Sequence, residues 1–153
     1  MPREIWKAVP GFEGSYEVSN RGRVRSLDRW IEMPECVVRG FVRKAHMRFR
    51  PGQMLAPGRC PSGHVTVALC RPGDGNKGRT RHIHALVMLA FVGPPPEGLE
   101  ILHLNHTPND NRRKNLKYGT MSENMKMDYS IGKRHGWSWI NARGGRWANR
   151  KAA

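Results

Sequence analysis

Acidic residues are scarce in this chain: 12 Asp and Glu stand against 27 Lys and Arg in 153 residues, and the run from Cys36 to Arg50 holds none. A formal net charge of +15 and a pI near 10.9 set up a strong positive field, whose natural partner is a polyanion. No apolar run approaches the length of a bilayer span and no long basic amphipathic helix is evident, so nucleic acid is favoured over a membrane. The opening MPREIWKAVPGFEG lacks the apolar centre of a signal peptide, and the expected compartment is the cytoplasm. Cysteine is equally sparse. Cys36, Cys60 and Cys70 form no CxxC pair, their odd number argues against a disulfide framework, and the spacing of Cys60, His64 and Cys70 fits no standard zinc site. There are no internal repeats or low-complexity tracts. The length suits one compact domain with extensions, or a small pair.

The most specific stretch runs from Leu99 to Asn124, LEILHLNHTPNDNRRKNLKYGTMSEN. LEILHL reads as a strand, NHTPNDN breaks regular structure, and NLKYGTMSENM can start a helix, giving strand, loop, helix. His103 ends the apolar run, Asn115 follows twelve positions on and Asn124 nine after that. This spacing can gather an imidazole and two amides around one ion and one phosphate. A neutral imidazole near its own pKa can take a proton from water attacking phosphorus. An Asn carbonyl gives a hard divalent cation an oxygen ligand without added charge, the role expected of Asn124, while Asn115 braces the loop or orients the ring.

On these residues the stretch resembles an HNH endonuclease of the ββα-metal type, as found in phage and intron homing enzymes. The resemblance implies a catalytic pair of His103 as general base and Asn115 as loop stabiliser, Asn124 as metal ligand, and a divalent cofactor, Mg2+ with Mn2+ as substitute. Many relatives carry an Asp immediately before the base, and here that place holds Leu102. Either one protein ligand suffices, with waters and phosphate oxygens completing the shell, or His106 or Glu100 substitutes. An Asp introduced at position 102 is expected to add a ligand beside His103 and raise metal affinity.

Earlier in the chain, EIWKAVPGFEGSYEVSNRGRVRSLDR places Trp6, Val9, Phe12, Tyr16 and Val18 among turn residues, with YEVS and RVRSL as a hairpin. This segment is similar to the short module that precedes the nuclease in many phage and intron HNH enzymes. Arg21, Arg23 and Arg25 either contact phosphates or form a solvated edge. CVVRGFVRKAHMRFR, with Arg39, Arg43, Lys44, Arg48 and Arg50, is either a DNA-facing strand or ribbon or a strand with a wet basic face. GHVTVALC reads as a strand, RPGDGNKGRT as a long turn, RHIH as a second strand and HALVMLAFVG as a buried helix stopped by PPPEG. His84 at that junction either supports the active site from behind or has a packing or capping role. Leu86, Val87, Leu89, Phe91 and Val92 are expected to form core with Ile101 and Leu104 or Leu102. After Asn124, the basic residues Lys133, Arg134, Arg143 and Arg146 interleave with Trp137, Trp139 and Trp147, a pattern that suits nucleic acid or a tail whose tryptophans pack back.

The expected fold is α+β: a β-rich module with basic linker over 1–58, a ββα-metal nuclease domain over 59–132 and a basic extension over 133–153. The expected activity is metal-dependent hydrolysis of double-stranded DNA by a monomer, in the host cytoplasm if phage-encoded, with no membrane and no small-molecule substrate. Two other classes stand beside it, a DNA-binding protein that kept the fold without the chemistry, for which Leu102 speaks, and an RNA-binding or structural nucleoprotein resting on charge and aromatics alone.

Overall fold

Alternating apolar residues build the first sheet of the computed structural model, which describes residues 3–70 and 78–132. Strands β1 (Trp6–Ala8), β2 (Tyr16–Ser19) and β3 (Val24–Ser26) pair antiparallel in that order, so Tyr16, Val18 and Val24 turn inward. The hairpin joining β2 and β3 turns at Asn20–Gly22, where Gly22 has φ +79°.

A long ribbon follows. Strand β4 (Arg29–Met33) pairs with β7 (His46–Arg50), and β5 (Cys36–Val38) with β6 (Phe41–Arg43), all antiparallel. Arg39 and Gly40 at the tip both have positive φ, 52° and 82°, as a tight hairpin turn of matching twist requires. The ribbon closes at its base through Ser26 N to Gln53 O, 2.8 Å, and Gly52 N to Asp28 Oδ1, 2.6 Å.

The second sheet contains β8 (Gly58–Arg59), β9 (Val65–Leu69) and β10 (Arg79–His82), with β9 central. Helix α1 (Ile83–Phe91) leaves β10 directly and buries Ile83, Leu86, Val87 and Met88. Those side chains join Val9, Phe12, Tyr16, Val18 and Val24 with Val65, Val67, Leu69 and Leu116 in one core, fed from both sides of position 58. Tyr16 stitches the parts together, its hydroxyl accepting from Cys70 N at 3.2 Å and from the Arg29 guanidinium at 3.1 Å. The three cysteines are free thiols. No helix among the described residues is long and apolar enough to cross a membrane.

The last unit is β11 (Glu100–His103), β12 (Leu116–Gly119) and α2 (Met121–Ser130). The expected strand, loop and helix thus gain a second strand: residues 116–119 pair with β11, His103 opposite Leu116, before the α-helix begins. Tertiary pairing wins over local preference because β11 would otherwise leave its edge unpaired. The helix starts at a capping box, in which Thr120 Oγ1 accepts from Glu123 N and the Glu123 carboxylate accepts from Thr120 N. Of the alternatives for the core, Leu102 is 1% exposed, whereas Leu104 lies beyond the strand end and Val92 beyond the helix end, both exposed. Leu89 is only half-buried.

Candidate active site

The loop after His103 is held by its own amides. Asn115, buried, accepts from Asn105 N at 2.9 Å and donates through Nδ2 to Asn105 Oδ1 and to Asp110 O, both at 2.8 Å. Asn105 also caps a turn by accepting from Thr107 N, and it donates to Asp110 Oδ2 at 2.8 Å. The Arg112 guanidinium on Asp110 holds that carboxyl below the usual carboxylate range. These bonds fix both ends of an irregular segment whose backbone has no ladder of its own.

His103 Nε2 lies 3.5 Å from Asn111 Oδ1. An amide oxygen only accepts, so Nε2 carries the proton of the neutral ring and the lone pair sits on Nδ1. Asn111 is buried, and its Nδ2 donates to Asn109 O at 3.3 Å, which fixes which end of the amide meets the ring. Behind it stands the first hairpin: a Cβ added at Gly22 would lie 2.8 Å from Asn111 Cβ and 2.9 Å from its carbonyl oxygen. Asn20 O also accepts from Arg113 N at 2.9 Å. The N-terminal sheet therefore backs the loop that carries the imidazole partner.

Two further imidazoles flank His103, and a third lies against both of them. Ring centres of His84 and His64 lie 5.2 and 5.5 Å from it, and His82 stacks on His84 at 5.1 Å. Burial pushes His84 down to about 3, aided by the imidazoles of His103, His64 and His82, so it is neutral at any working pH. His84 Nδ1 is buried and has no hydrogen-bond partner among the described residues. The expected capping role is thus absent. His82 occupies the N-cap position of α1 and makes no side-chain cap bond either.

Asn124 is on the first half of α2, partly buried, and Asp128 lies one turn further on the same face. Asp128 Oδ1 is 3.5 Å from His106 Nδ1, which turns this face of α2 toward the loop after His103. His106 itself adopts φ 53° and is engaged by that carboxylate. Glu100 starts β11, three residues before His103 and on the opposite face, so it does not reach the imidazole. Leu102 alternates with His103 and is buried, 1% exposed, on the other face of β11, so an Asp there would bury a charge. Among the described residues no three His, Cys, Asp or Glu side chains form a metal-holding group. The donors on the α2 face are oxygens, the Asn124 amide and the Asp128 carboxylate, a set that fits a hard divalent cation completed by water and phosphate oxygens.

The basic residues separate into groups. Arg23 is ion-paired with Glu4, and Arg25 with Glu17 at 2.6 Å, and both guanidinium groups lie over the Trp6 ring, which ties them to their own sheet. Arg21 lines an open cleft of about 490 Å3 together with Gly22, Asn109, Asn111 and Arg112, directly beside the His103 loop. Arg39, Arg43, Lys44, Arg48 and Arg50 are exposed along the ribbon. Lys133, Arg134, Arg143 and Arg146, with the three tryptophans among them, lie outside the described residues. Sequence reasoning missed Asn111, Asp128, His64 and His82. Only the spacing of Asp128 four residues after Asn124 could have signalled one of them.

Residues 4–70 match the NUMOD4 motif and residues 81–126 match an HNH endonuclease model. Among curated proteins, the chain is 28% identical over 127 residues to DNA endonuclease I-HmuI of Bacillus phage SP01, covering 83% of this chain and 59% of that protein. It is 33% identical over 129 residues to the uncharacterized HNH endonuclease L247 of Acanthamoeba polyphaga mimivirus, covering 80% of this chain and 25% of the relative. The chain thus spans about three fifths of the first relative's length and a quarter of the second's. A solved structure concerning DNA binding and cleavage by the HNH homing endonuclease I-HmuI superposes with a TM-score of 0.64 at 25% identity, over 90% of this chain and 65% of that one.

Proposed function

We propose that this chain is a metal-dependent homing-type endonuclease that hydrolyses phosphodiester bonds in double-stranded DNA, a reading supported by the HNH endonuclease match over residues 81–126 and the NUMOD4 match ahead of it. The observation that carries this reading is the setting of His103, at the end of β11 with Nε2 turned to Asn111 in a loop clamped by Asn115, inside the HNH match. His103 takes a proton on Nδ1 from a water as the water oxygen attacks phosphorus. The P–O bond to the leaving nucleotide breaks, and the leaving oxygen ends protonated by solvent. Asn111 fixes the tautomer, Asn115 fixes the loop, and neutral His84 packs behind the ring without competing for its charge.

Asn124 would hold the divalent ion, with Asp128 as the carboxylate on the same helical face. Magnesium suits these oxygen donors, and manganese can replace it. When bound, the ion supplies positive charge that polarises the phosphate and stabilises the leaving oxygen. Arg21, beside the loop, and the exposed cations of the ribbon neutralise DNA phosphates, as do Lys133, Arg134, Arg143 and Arg146 in the sequence beyond. The protein acts as a monomer in the cytoplasm, that of the host cell if it is phage-encoded. Incubation of the purified chain with supercoiled plasmid tests the proposal: nicked or linear product with Mg2+ or Mn2+, and none with EDTA, is expected. One observation favours a second reading, a DNA binder without chemistry: position 102 carries no carboxylate and is turned into the core. Retarded but uncut DNA in the same experiment would select it.

A further inference from the structure

The turn that joins β8 to β9 lies against the loop after His103 and ends on a half-buried imidazole, His64. Cys60 N donates to His64 O at 3.0 Å and Gly63 N to Cys60 O at 2.9 Å, with Gly63 at φ +82°. A Cβ added at Gly63 would stand 3.7 Å from Pro108 Cγ, so the turn and the loop are in van der Waals reach of each other. His64 thereby approaches His103 from a different sheet, with ring centres 5.5 Å apart and ring planes inclined at 54°. His84 closes the third side, 5.0 Å from His64 and 5.2 Å from His103.

The hydrogen bonds of the turn decide which nitrogen of His64 holds the proton. A carbonyl only accepts, so the Cys60 thiol donates to His64 O at 3.2 Å, and its sulfur takes the Ser62 hydroxyl hydrogen at 3.0 Å. The Ser62 oxygen then accepts from His64 Nδ1, also at 3.0 Å. The neutral ring therefore carries its proton on Nδ1 and its lone pair on Nε2. His103 is fixed the opposite way, with the proton on Nε2 and the lone pair on Nδ1. Each ring brings one basic nitrogen to the same cluster.

Distance decides what the second nitrogen can do. A general acid for the leaving oxygen stands on the far side of phosphorus, about 9 Å from the base nitrogen once two hydrogen bonds and the in-line O–P–O span are added. Ring centres 5.5 Å apart are too close for that. One water donating a hydrogen to each ring holds the two nitrogens about 4.5 Å apart, which this spacing admits. The titratable groups that face His64 among the described residues are Cys60 on its own turn, His82 from β10, His84 from α1 and His103 from β11. Asp110, in the loop packed on the turn, is engaged by Arg112 and Asn105.

We propose that His64 is a positioning residue of the cleavage reaction, accepting one hydrogen of the attacking water while His103 accepts the other. The lone pairs of the water oxygen then face phosphorus. His103 Nδ1 removes its hydrogen as the new O–P bond forms and the bond to the leaving oxygen breaks. The hydrogen turned to His64 stays on the oxygen and ends on the product phosphate, from which solvent removes it. This rests on the DNA-cleaving reading of the His103 site and adds what aims its water.

The test is single-turnover cleavage by the full chain at saturating DNA and Mg2+, with the DNA affinity of each variant measured in EDTA. His64→Ala should cut about tenfold to a hundredfold more slowly at unchanged affinity, because a misdirected water costs rate and not binding. His64→Leu fills the space without an acceptor and should behave alike should the Ala variant fold poorly. His64→Gln can place an oxygen acceptor where Nε2 stood and should recover most of the loss. In a His103→Ala background, His64→Ala should cost nothing further, because the two rings act on one water. His82→Gln, in the cluster but stacked on His84, should cut as wild type. Wild-type cutting by His64→Leu would overturn the inference and leave the nuclease reading in place. The same holds for a loss carried in full into the His103→Ala background, or one matched by His82→Gln. An alkaline limb of the rate profile that disappears with His64 would overturn it too, since an imidazolium on the phosphate would then be acting. A wild-type protein that leaves DNA uncut with Mg2+ and Mn2+ would overturn both readings.

Discussion

Replacing Gly22 by Ala should reduce cleavage although Gly22 lies far ahead of His103 in the sequence. Two costs arise, and a control separates them. The first is backbone: at φ +79° an Ala pays about 1 to 2 kcal/mol for the left-handed region. The second is contact, because the new Cβ would sit 2.8 Å from Asn111 Cβ and 2.9 Å from its carbonyl oxygen, and overpacking of this kind costs about 1 to 3 kcal/mol. Gly14 has nearly the same backbone, φ +71°, with nothing within 4 Å of an added Cβ, so Gly14→Ala carries only the first cost. If the strain at Gly22 is relieved by moving Asn111, the contact between His103 Nε2 and Asn111 Oδ1 weakens and the ring loses its fixed direction. A misplacement of the order of 1 Å in such a group can cost about a hundredfold in rate. Thermal unfolding and single-turnover cleavage of both variants, at saturating DNA and Mg2+, make the comparison. Gly14→Ala should lose stability but keep its rate, and Gly22→Ala should lose both, with the rate falling roughly ten- to a hundredfold. A Gly22→Ala enzyme that cuts as fast as Gly14→Ala would refute the argument that the first hairpin positions the base.

His84 makes stability depend on pH. Its folded pKa, about 3, lies below the unfolded value near 6.5, so the unfolded chain binds the extra proton and stability falls as pH drops from 6.5 toward 3. Allowing for partial exposure, the loss between pH 7 and pH 4 is about 2 kcal/mol, and chemical denaturation of His84→Gln, which has no group to titrate there, should show a shallower decline. Leu102→Asp should destabilise the fold by about 3 to 5 kcal/mol in denaturant titration through loss of a buried side chain and burial of a charge, and calorimetry should find no gain in Mg2+ affinity. Asn115→Ala removes three loop bonds and should lower both melting temperature and rate by leaving Asn105 N and Asp110 O unpaired. Asn124→Ala should abolish Mg2+-dependent cutting while gel retardation in EDTA stays unchanged.

Much of the fold could be read from the chain because the deciding information is local. The hairpin YEVS and RVRSL, the β9 strand and the α1 helix follow from alternation or periodicity within a few residues. Strand β12 could not be read that way, since LKYG becomes extended only by pairing with β11 across the twelve-residue excursion between His103 and Leu116. The same limit applies to the site. His103, Asn115 and Asn124 stand out by order and spacing, but Asn111 sits among several loop amides, and only the approach of Gly22 distinguishes it. His64 and His82 are remote from His103 in sequence, and sheet register alone brings their rings together. Leu102 shows the opposite failure: the residue type was plain, yet its direction into the core depends on which face of β11 is buried.

The most direct measurement is the single-turnover cleavage rate of His103→Ala beside wild type, at equal occupancy of the same duplex with Mg2+. A general base acts in the transition state, so the account predicts a fall of about two to four orders of magnitude with DNA affinity nearly unchanged. Wild-type cleavage by His103→Ala would contradict the account at its centre.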